Sequence, residues 1–211
     1  MKEYKLPIGC DVPETIILAD GDFPSHPLAL EWLRQCSYVV CCDGAANTYI
    51  RSGRMPEAIV GDGDSLLPDI KERYASLIHS EAEQETNDLS KAFRFCLSQE
   101  RKRITIMGAT GKREDHTIGN VSLLADYMEQ AEVSMMTDYG IFVPIREDSM
   151  FESYIGQQIS VFNMNSTALS AEGLAYPLSV FTNWWQGTLN EALARHFIIR
   201  TEGKVLVFRV F

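Results

Sequence analysis

Tyr38-Val39-Val40-Cys41-Cys42-Asp43-Gly44-Ala45-Ala46-Asn47 is the stretch that decides the fold. Its first five residues are an unbroken apolar run, which reads as a strand buried on both faces. Asp43-Gly44 ends that strand. Ala45, Ala46 and Tyr49 then begin a helical pattern that runs to about Ser52 and stops at Gly53. A strand that feeds a helix through a two-residue turn is the repeating unit of a parallel α/β sheet. The unit recurs on both sides. Residues 15–19 read as a strand ending at Asp20-Gly21-Asp22, with a helix over 27–35. Residues 57–60 read as a strand ending at Gly61-Asp62-Gly63-Asp64-Ser65. Residues 89–98 read as a helix capped by Asn87 or Asp88. Residues 103–107 and 132–136 read as strands, with a helix over 117–130 between them.

Near residue 138 the pattern changes. Short strand candidates at 141–145, 158–163, 178–182, 197–201 and 205–210 are separated by Gly, Asn, Ser and Pro, and the helical period fades. The expected architecture is therefore α/β: an N-terminal Rossmann-like domain with a parallel sheet over 1–138, then a small C-terminal β-sandwich over 139–211.

The bulk properties exclude several classes. A chain of 211 residues that is 45% hydrophobic and 23% charged can bury a core without disulfides or structural metals. A net charge of -10 argues against nucleic-acid binding, which needs a basic surface. It does not argue against ATP, because a bound Mg2+ reconciles carboxylates with phosphates. The amino terminus lacks the pattern of a signal peptide and no stretch has the length of a membrane span, so a cytoplasmic protein is expected. The five cysteines are odd in number and have no zinc-type spacing, and Cys41 and Cys42 read as buried thiols.

Chemistry enters with the carboxylates. Ligands of open α/β sheets bind outside the carboxyl ends of the strands, and acidic residues fall at that end in strand after strand. An Asp after one strand is routine turn chemistry, which accounts for Asp20, Asp22 and Asp69. The pair Asp62 and Asp64, on a glycine-rich loop, together with Asp43 and Asp88, asks for more. Converging carboxylates repel unless a cation neutralises them, and oxygen ligands alone suit Mg2+. A second segment, Gly108-Ala109-Thr110-Gly111-Lys112-Arg113-Glu114-Asp115-His116, follows a strand and opens a helix, so its backbone N–H groups suit phosphate. It fails as a Walker A loop, since Ile106 stands where the first Gly belongs and Arg113 takes the Ser/Thr place. Lys112 and Arg113 still bring two positive charges, and the forked guanidinium of Arg113 is the better phosphate grip.

In order and spacing, these motifs (continued by Asn120) resemble the thiamine pyrophosphokinase family. The resemblance spans about residues 15–210, more strongly in the first domain than in the second. It implies transfer of a pyrophosphoryl group from ATP to the hydroxyl of thiamine, giving thiamine diphosphate and AMP. It further implies metal ligation by Asp62, Asp64 and Asp88, with Asp43 close by, and catalysis by these three together with Arg113. Nucleotide contacts are implied for Asp43, Gly44, Asn47, Gly111, Lys112, Arg113, Asp115, His116 and Asn120. Thiamine contacts are implied for Gln84, Tyr176 and Asn190, and a homodimer is implied with its active sites at the subunit interface.

Some positions depart from the family pattern. Ala45 replaces a second Gly, Glu85 and Asn87 stand where Asp and Thr are usual, Tyr176 replaces a common Trp, and Leu189 replaces a Ser. Trp184 and Trp185 offer another stacking surface; as strand neighbours they point to opposite faces, so one at most serves. Two rivals stay open on the residues alone: a metal-dependent nucleotide-sugar glycosyltransferase using Asp62 and Asp64, and a module that binds thiamine or a nucleotide without chemistry.

Overall fold

The computed structural model describes residues 1–7, 11–81, 83 and 85–211. Along the chain run β1 (Lys2–Tyr4), β2 (Thr15–Leu18), α1 (Pro27–Gln35), β3 (Val39–Cys42), α2 (Ala45–Arg51) and β4 (Ala58–Gly61). They are followed by α3 (Pro68–Arg73), β5 (Ile78–Ser80), α4 (Asp88–Ser98), β6 (Arg103–Met107), α5 (Glu114–Tyr127) and β7 (Glu132–Met136). The remainder is β8 (Gly140–Ile145), β9 (Ser149–Glu152), β10 (Gln158–Asn163), β11 (Leu169–Glu172), β12 (Asn190–Glu191), β13 (His196–Thr201) and β14 (Val205–Val210).

The chain divides into two compact units. One comprises Gly9–Leu123 and Gln130–Asp138; the other comprises Met1–Ile8, Leu124–Glu129 and Tyr139–Phe211.

The first unit is built on β7-β6-β2-β3-β4-β5, with every neighbouring pair parallel. Its central strands are buried on both faces, as the apolar runs require: Ile16, Ile17, Val40 and Cys41 are sealed from solvent. Within β4-β3-β2-β6-β7 the order is that of a Rossmann sheet, and β5 adds an outer edge. The chain steps outward from β2 through β3 and β4, then returns to the other side of β2 with β6. The direction of winding therefore reverses between β2 and β6, and a crevice opens there at their carboxyl ends. Two loops meet at that point, with Gly21 N–H donating to Gly108 O (2.6 Å) and Asp22 N–H to Thr110 O (2.9 Å).

Helix starts follow local chemistry. Asn87 caps α4 by accepting from Ser90 N–H at 2.9 Å. Pro27 opens α1 after His26, whose ring nitrogen accepts from Leu28 N–H. Helix α5 starts at Glu114, one turn before the expected 117, because the acidic Glu114 and Asp115 suit a first turn.

The second unit has two sheets, β1-β9-β13-β11 and β12-β10-β14-β8, whose inner residues share one core that includes Phe151, Phe197, Ile159 and Val207. It is a β-sandwich. Its first sheet recruits the amino terminus: β1 pairs parallel with β9, and Tyr4 stacks on Phe151 with centroids 4.8 Å apart. Buried Arg209 ties the same segment, donating to Glu152 O at 2.9 Å and Lys5 O at 3.0 Å.

Two expectations fail here. Residues 178–182 form no strand, and Trp184 and Trp185 sit on a short 3-10 turn, Trp184–Gly187, rather than on a strand. Leu178 drops into the core and Phe181 packs against it while Val180 stays exposed, so the apolar residues that suggested a strand anchor an irregular segment instead. Among the described residues, no helix is long and apolar enough to cross a membrane, and the described cysteines are free thiols, three of them buried.

Candidate active site

Asp43 is the buried centre of the acidic cluster. It leaves β3 in the left-handed region, at φ 25°, and its side chain sits in a residue only 3% exposed. That backbone costs roughly 1–2 kcal/mol in a non-glycine residue. One carboxylate oxygen, Oδ2, accepts from Ser65 N–H at 3.0 Å. The other, Oδ1, is buried with no hydrogen-bond partner. Gly61 makes room: a Cβ there would lie 2.8 Å from Asp43 Cβ, so any side chain would displace Asp43, and it would touch the Asp88 carboxyl carbon at 3.4 Å. Burial raises the Asp43 pKa; the Ser65 N–H opposes that, and the charges of Asp88 and Asp62 reinforce it. Charges from the ends of β3 and β4 and the start of α4 thus act on one another.

Their other contacts fix the arrangement. Asp62 Oδ1 accepts from Asp64 N–H at 3.1 Å, which bends the Gly61–Ser65 loop over itself. Asp88 Oδ1 lies 3.1 Å from Lys91 Nζ. Asp64 is exposed and lines an open groove of about 460 Å³ with Gly63, Leu66 and Lys71. Asn47 ties the same loop to α2, donating to Ser65 O at 2.8 Å and accepting from Leu67 N–H at 3.0 Å. Asn47 is therefore occupied in shaping the site.

Among the described residues, no three His, Cys, Asp or Glu side chains stand close enough to form a metal cage by themselves. The donor set nevertheless fits Mg2+. The ion takes oxygen ligands, normally one or two carboxylates with water and substrate phosphate, and the Asp43 Oδ1 lone pairs are unfilled beside two further acids.

The basic loop is held by carboxylates of its own chain. Lys112 donates to Asp20 O at 2.9 Å and to Asp20 Oδ1 at 3.0 Å. Arg113 makes a forked pair with Asp115, and Asp115 also accepts from His116 N–H at 3.0 Å. The Arg113 fork pulls the exposed Asp115 carboxyl below its usual range. Asp22 packs against Gly111, and Asp20 abuts Gly44 at the start of α2. These loops surround a pocket of about 130 Å³ lined by Asp20, Asp22, Ala45, Thr48 and Lys112. Sequence reasoning set Asp20 and Asp22 aside as turn residues; the sheet's reversal point brings them to the basic loop. Their position in the strand order was the signal that would have kept them.

Asn120 is held between two elements. Its Nδ2 donates to Ala109 O at 2.8 Å and its Oδ1 accepts from Asn87 Nδ2 at 3.1 Å, so it braces the exit of β6 against the cap of α4. Asn190, in the sandwich unit, is likewise hydrogen-bonded within its own chain. It is buried, its Oδ1 accepts from Tyr176 N–H (3.0 Å) and Glu191 N–H (2.9 Å), and its Nδ2 donates to Tyr176 O (2.8 Å). The amide holds the backbone of Tyr176, whose ring is exposed along with Trp185 and Leu189. Gln84 lies outside the described residues.

Comparisons with known proteins fall on these same two units. Residues 29–136 match the family model described as Thiamin pyrophosphokinase, catalytic domain, and residues 140–208 match Thiamin pyrophosphokinase, substrate-binding domain. Thiamine pyrophosphokinase 1 of Oryza sativa subsp. japonica is 30% identical over 129 residues, covering 49% of this chain and 49% of the relative. Thiamine pyrophosphokinase of Bacillus subtilis is 34% identical over 86 residues, covering 39% of this chain and 40% of the relative. The chain thus spans about half the length of the curated relatives it matches. In fold it is similar to thiamin pyrophosphokinase from Candida albicans (TM-score 0.81, 18% identity, 100% of this chain and 93% of that one). The Bacillus subtilis structure superposes with TM-score 0.77 at 21% identity, covering 93% and 98%.

Proposed function

The chain belongs to the thiamin pyrophosphokinase family, and on that premise we propose that it transfers a pyrophosphoryl group from ATP to thiamine, yielding thiamine diphosphate and AMP. The observation that carries this reading is the unpartnered, buried Oδ1 of Asp43 beside Asp62 and Asp88, within the region matched by the catalytic-domain model. A buried carboxylate such as that of Asp43, on a left-handed backbone, is costly to maintain, and cost retained at a cleft points to function.

In the proposed reaction the thiamine hydroxyl oxygen bonds to the β-phosphorus of ATP and releases its proton to solvent, and the bond from that phosphorus to the bridging oxygen breaks, with AMP leaving on that oxygen. Such transfer asks a protein for positioning and for offset of charge. Asp43, Asp62, Asp64 and Asp88 would hold Mg2+, which when bound neutralises phosphate charge and orients the polyphosphate. Arg113 would exchange Asp115 for a phosphate oxygen, a like-for-like swap of one forked anion for another. Lys112 would exchange Asp20 in the same way. His116 N–H and the loop around Gly111 sit at the start of α5, where backbone donors and the helix dipole favour anions. The sandwich unit would take thiamine, with Tyr176 supplying an aromatic face set by Asn190, and would pair two subunits through its exposed apolar residues.

The test is one incubation of the protein with ATP, Mg2+ and thiamine, followed by product analysis. AMP with thiamine diphosphate supports the reading. ADP with thiamine monophosphate would mean a simple kinase, and no product here with turnover of a UDP-sugar in a parallel incubation would favour a glycosyltransferase.

A further inference from the structure

Lys91 is only 3% exposed, in the first turn of α4, with its Nζ 3.1 Å from Asp88 Oδ1. Nothing in helix stability asks for it there. A cation in the first turn faces the positive end of the helix dipole, and taking an ammonium out of water is costly without compensation. Its partner is one of the two carboxylates that crowd Gly61, Asp88 and Asp43, and the other keeps an unpartnered buried oxygen. A buried positive charge therefore stands behind a negatively charged centre and grips one member of it by one oxygen. We propose that Lys91 is a positioning residue: it fixes Asp88 through Oδ1 and supplies a permanent counter-charge to Asp43, Asp62 and Asp88, so that the cluster binds a divalent cation loosely and admits polyphosphate. The polyphosphate half rests on the function proposed above; the cation half does not.

The sign of one measurement separates this role from a structural one. Deleting the charge with Lys91→Met frees Asp88 Oδ1 and leaves the centre more negative. The full chain should then bind Mn2+ alone about tenfold more tightly than wild type, as read by electron paramagnetic resonance, because a positive charge a few ångströms from the cation has gone. Turnover should fall about tenfold, with a raised KM for the nucleotide, since the phosphates now meet more negative charge. Lys91→Arg should keep Mn2+ affinity near that of wild type. In an Asp88→Asn background, Lys91→Met should lose most of its effect on Mn2+, because the two residues act as one unit. If Lys91→Met does not fold, Lys91→Gln makes the same charge deletion with a polar end. Unchanged or weaker Mn2+ binding in the folded charge-deleted variant overturns the proposal, as does an undiminished effect without Asp88. Failure of the wild type to make AMP would overturn the proposed function alone, because Mn2+ binding is measured without nucleotide.

Discussion

Asp43 carries more of the site than its place in the sequence suggests. A carboxylate with one oxygen on Ser65 N–H and the other buried and unpartnered is expensive in the absence of a cation. Asp43→Asn keeps an oxygen acceptor and removes the charge that Asp62 and Asp88 repel. The variant should melt no lower than wild type, by differential scanning calorimetry without metal, while turnover drops about a hundredfold or more. A lower melting temperature would mean that the charge serves the fold. Gly61→Ala tests the packing around it. A Cβ 2.8 Å from Asp43 Cβ must push that side chain, so a loss of about 1–3 kcal/mol in denaturant unfolding is expected. At this scale the sequence was partly legible. Asp62 and Asp88 could be singled out because each follows a strand or starts a helix. The central place of Asp43 depends on burial from three elements at once, which no local pattern encodes. Lys91 was invisible for a similar reason, since Asp and Lys three residues apart on a helix look like an ordinary surface pair.

At the scale of elements, polar side chains hold the loops that present the site. Arg94 on α4 reaches Glu81, Glu83 and Thr86, with 2.8 Å to each of the two carboxylates, and so pins the segment leading into Asp88. The Glu83 pKa is lowered to about 2 by the Thr86 hydroxyl first, then by Arg94 and the N–H groups of Glu85 and Thr86. A depressed carboxylate stabilises the native state fully above its unfolded value of 4.5, and that contribution is lost as pH falls through about 2. Carboxyl 13C shifts should place the Glu83 midpoint near the lower value, and Arg94→Met should move it upward. A midpoint that ignores this substitution would remove Arg94 from the network.

In the sandwich unit, Asn190→Ala should cost roughly 1–3 kcal/mol, because it leaves Tyr176 N–H and O without their partner. In the parallel sheet β2, β3, β4 and β6 were readable because they are buried, continuous apolar runs, whereas the part-exposed edge strand β5 and the short helix α3 left no such run. The sandwich was harder. Its strands β1, β9 and β11 are short, and β1 joins its sheet across 147 positions of sequence, from Lys2 to Ser149. Residues 178–182 resembled a strand because Leu178, Val180 and Phe181 are apolar between turn residues, yet a strand needs a ladder partner as well as a pattern.

On the function proposed above, the work would be divided between the acidic loops of the parallel sheet and a sandwich whose surface exposes Tyr176, Trp185 and Leu189. Exposed aromatic and aliphatic residues at 64%, 73% and 76% suit a surface that is covered in a dimer. Sedimentation should give twice the chain mass, and Trp185→Asp should shift it toward a monomer; a monomeric wild type would detach the subunit-pairing role from this unit.

The central claim is transfer of both outer phosphates as one group, and ATP labelled at the β- and γ-phosphorus tests it directly. With Mg2+ and thiamine, both labels should appear together in thiamine diphosphate, with one unlabelled AMP released for each molecule formed. Label in ADP, or thiamine carrying the γ-phosphate alone, would contradict the account.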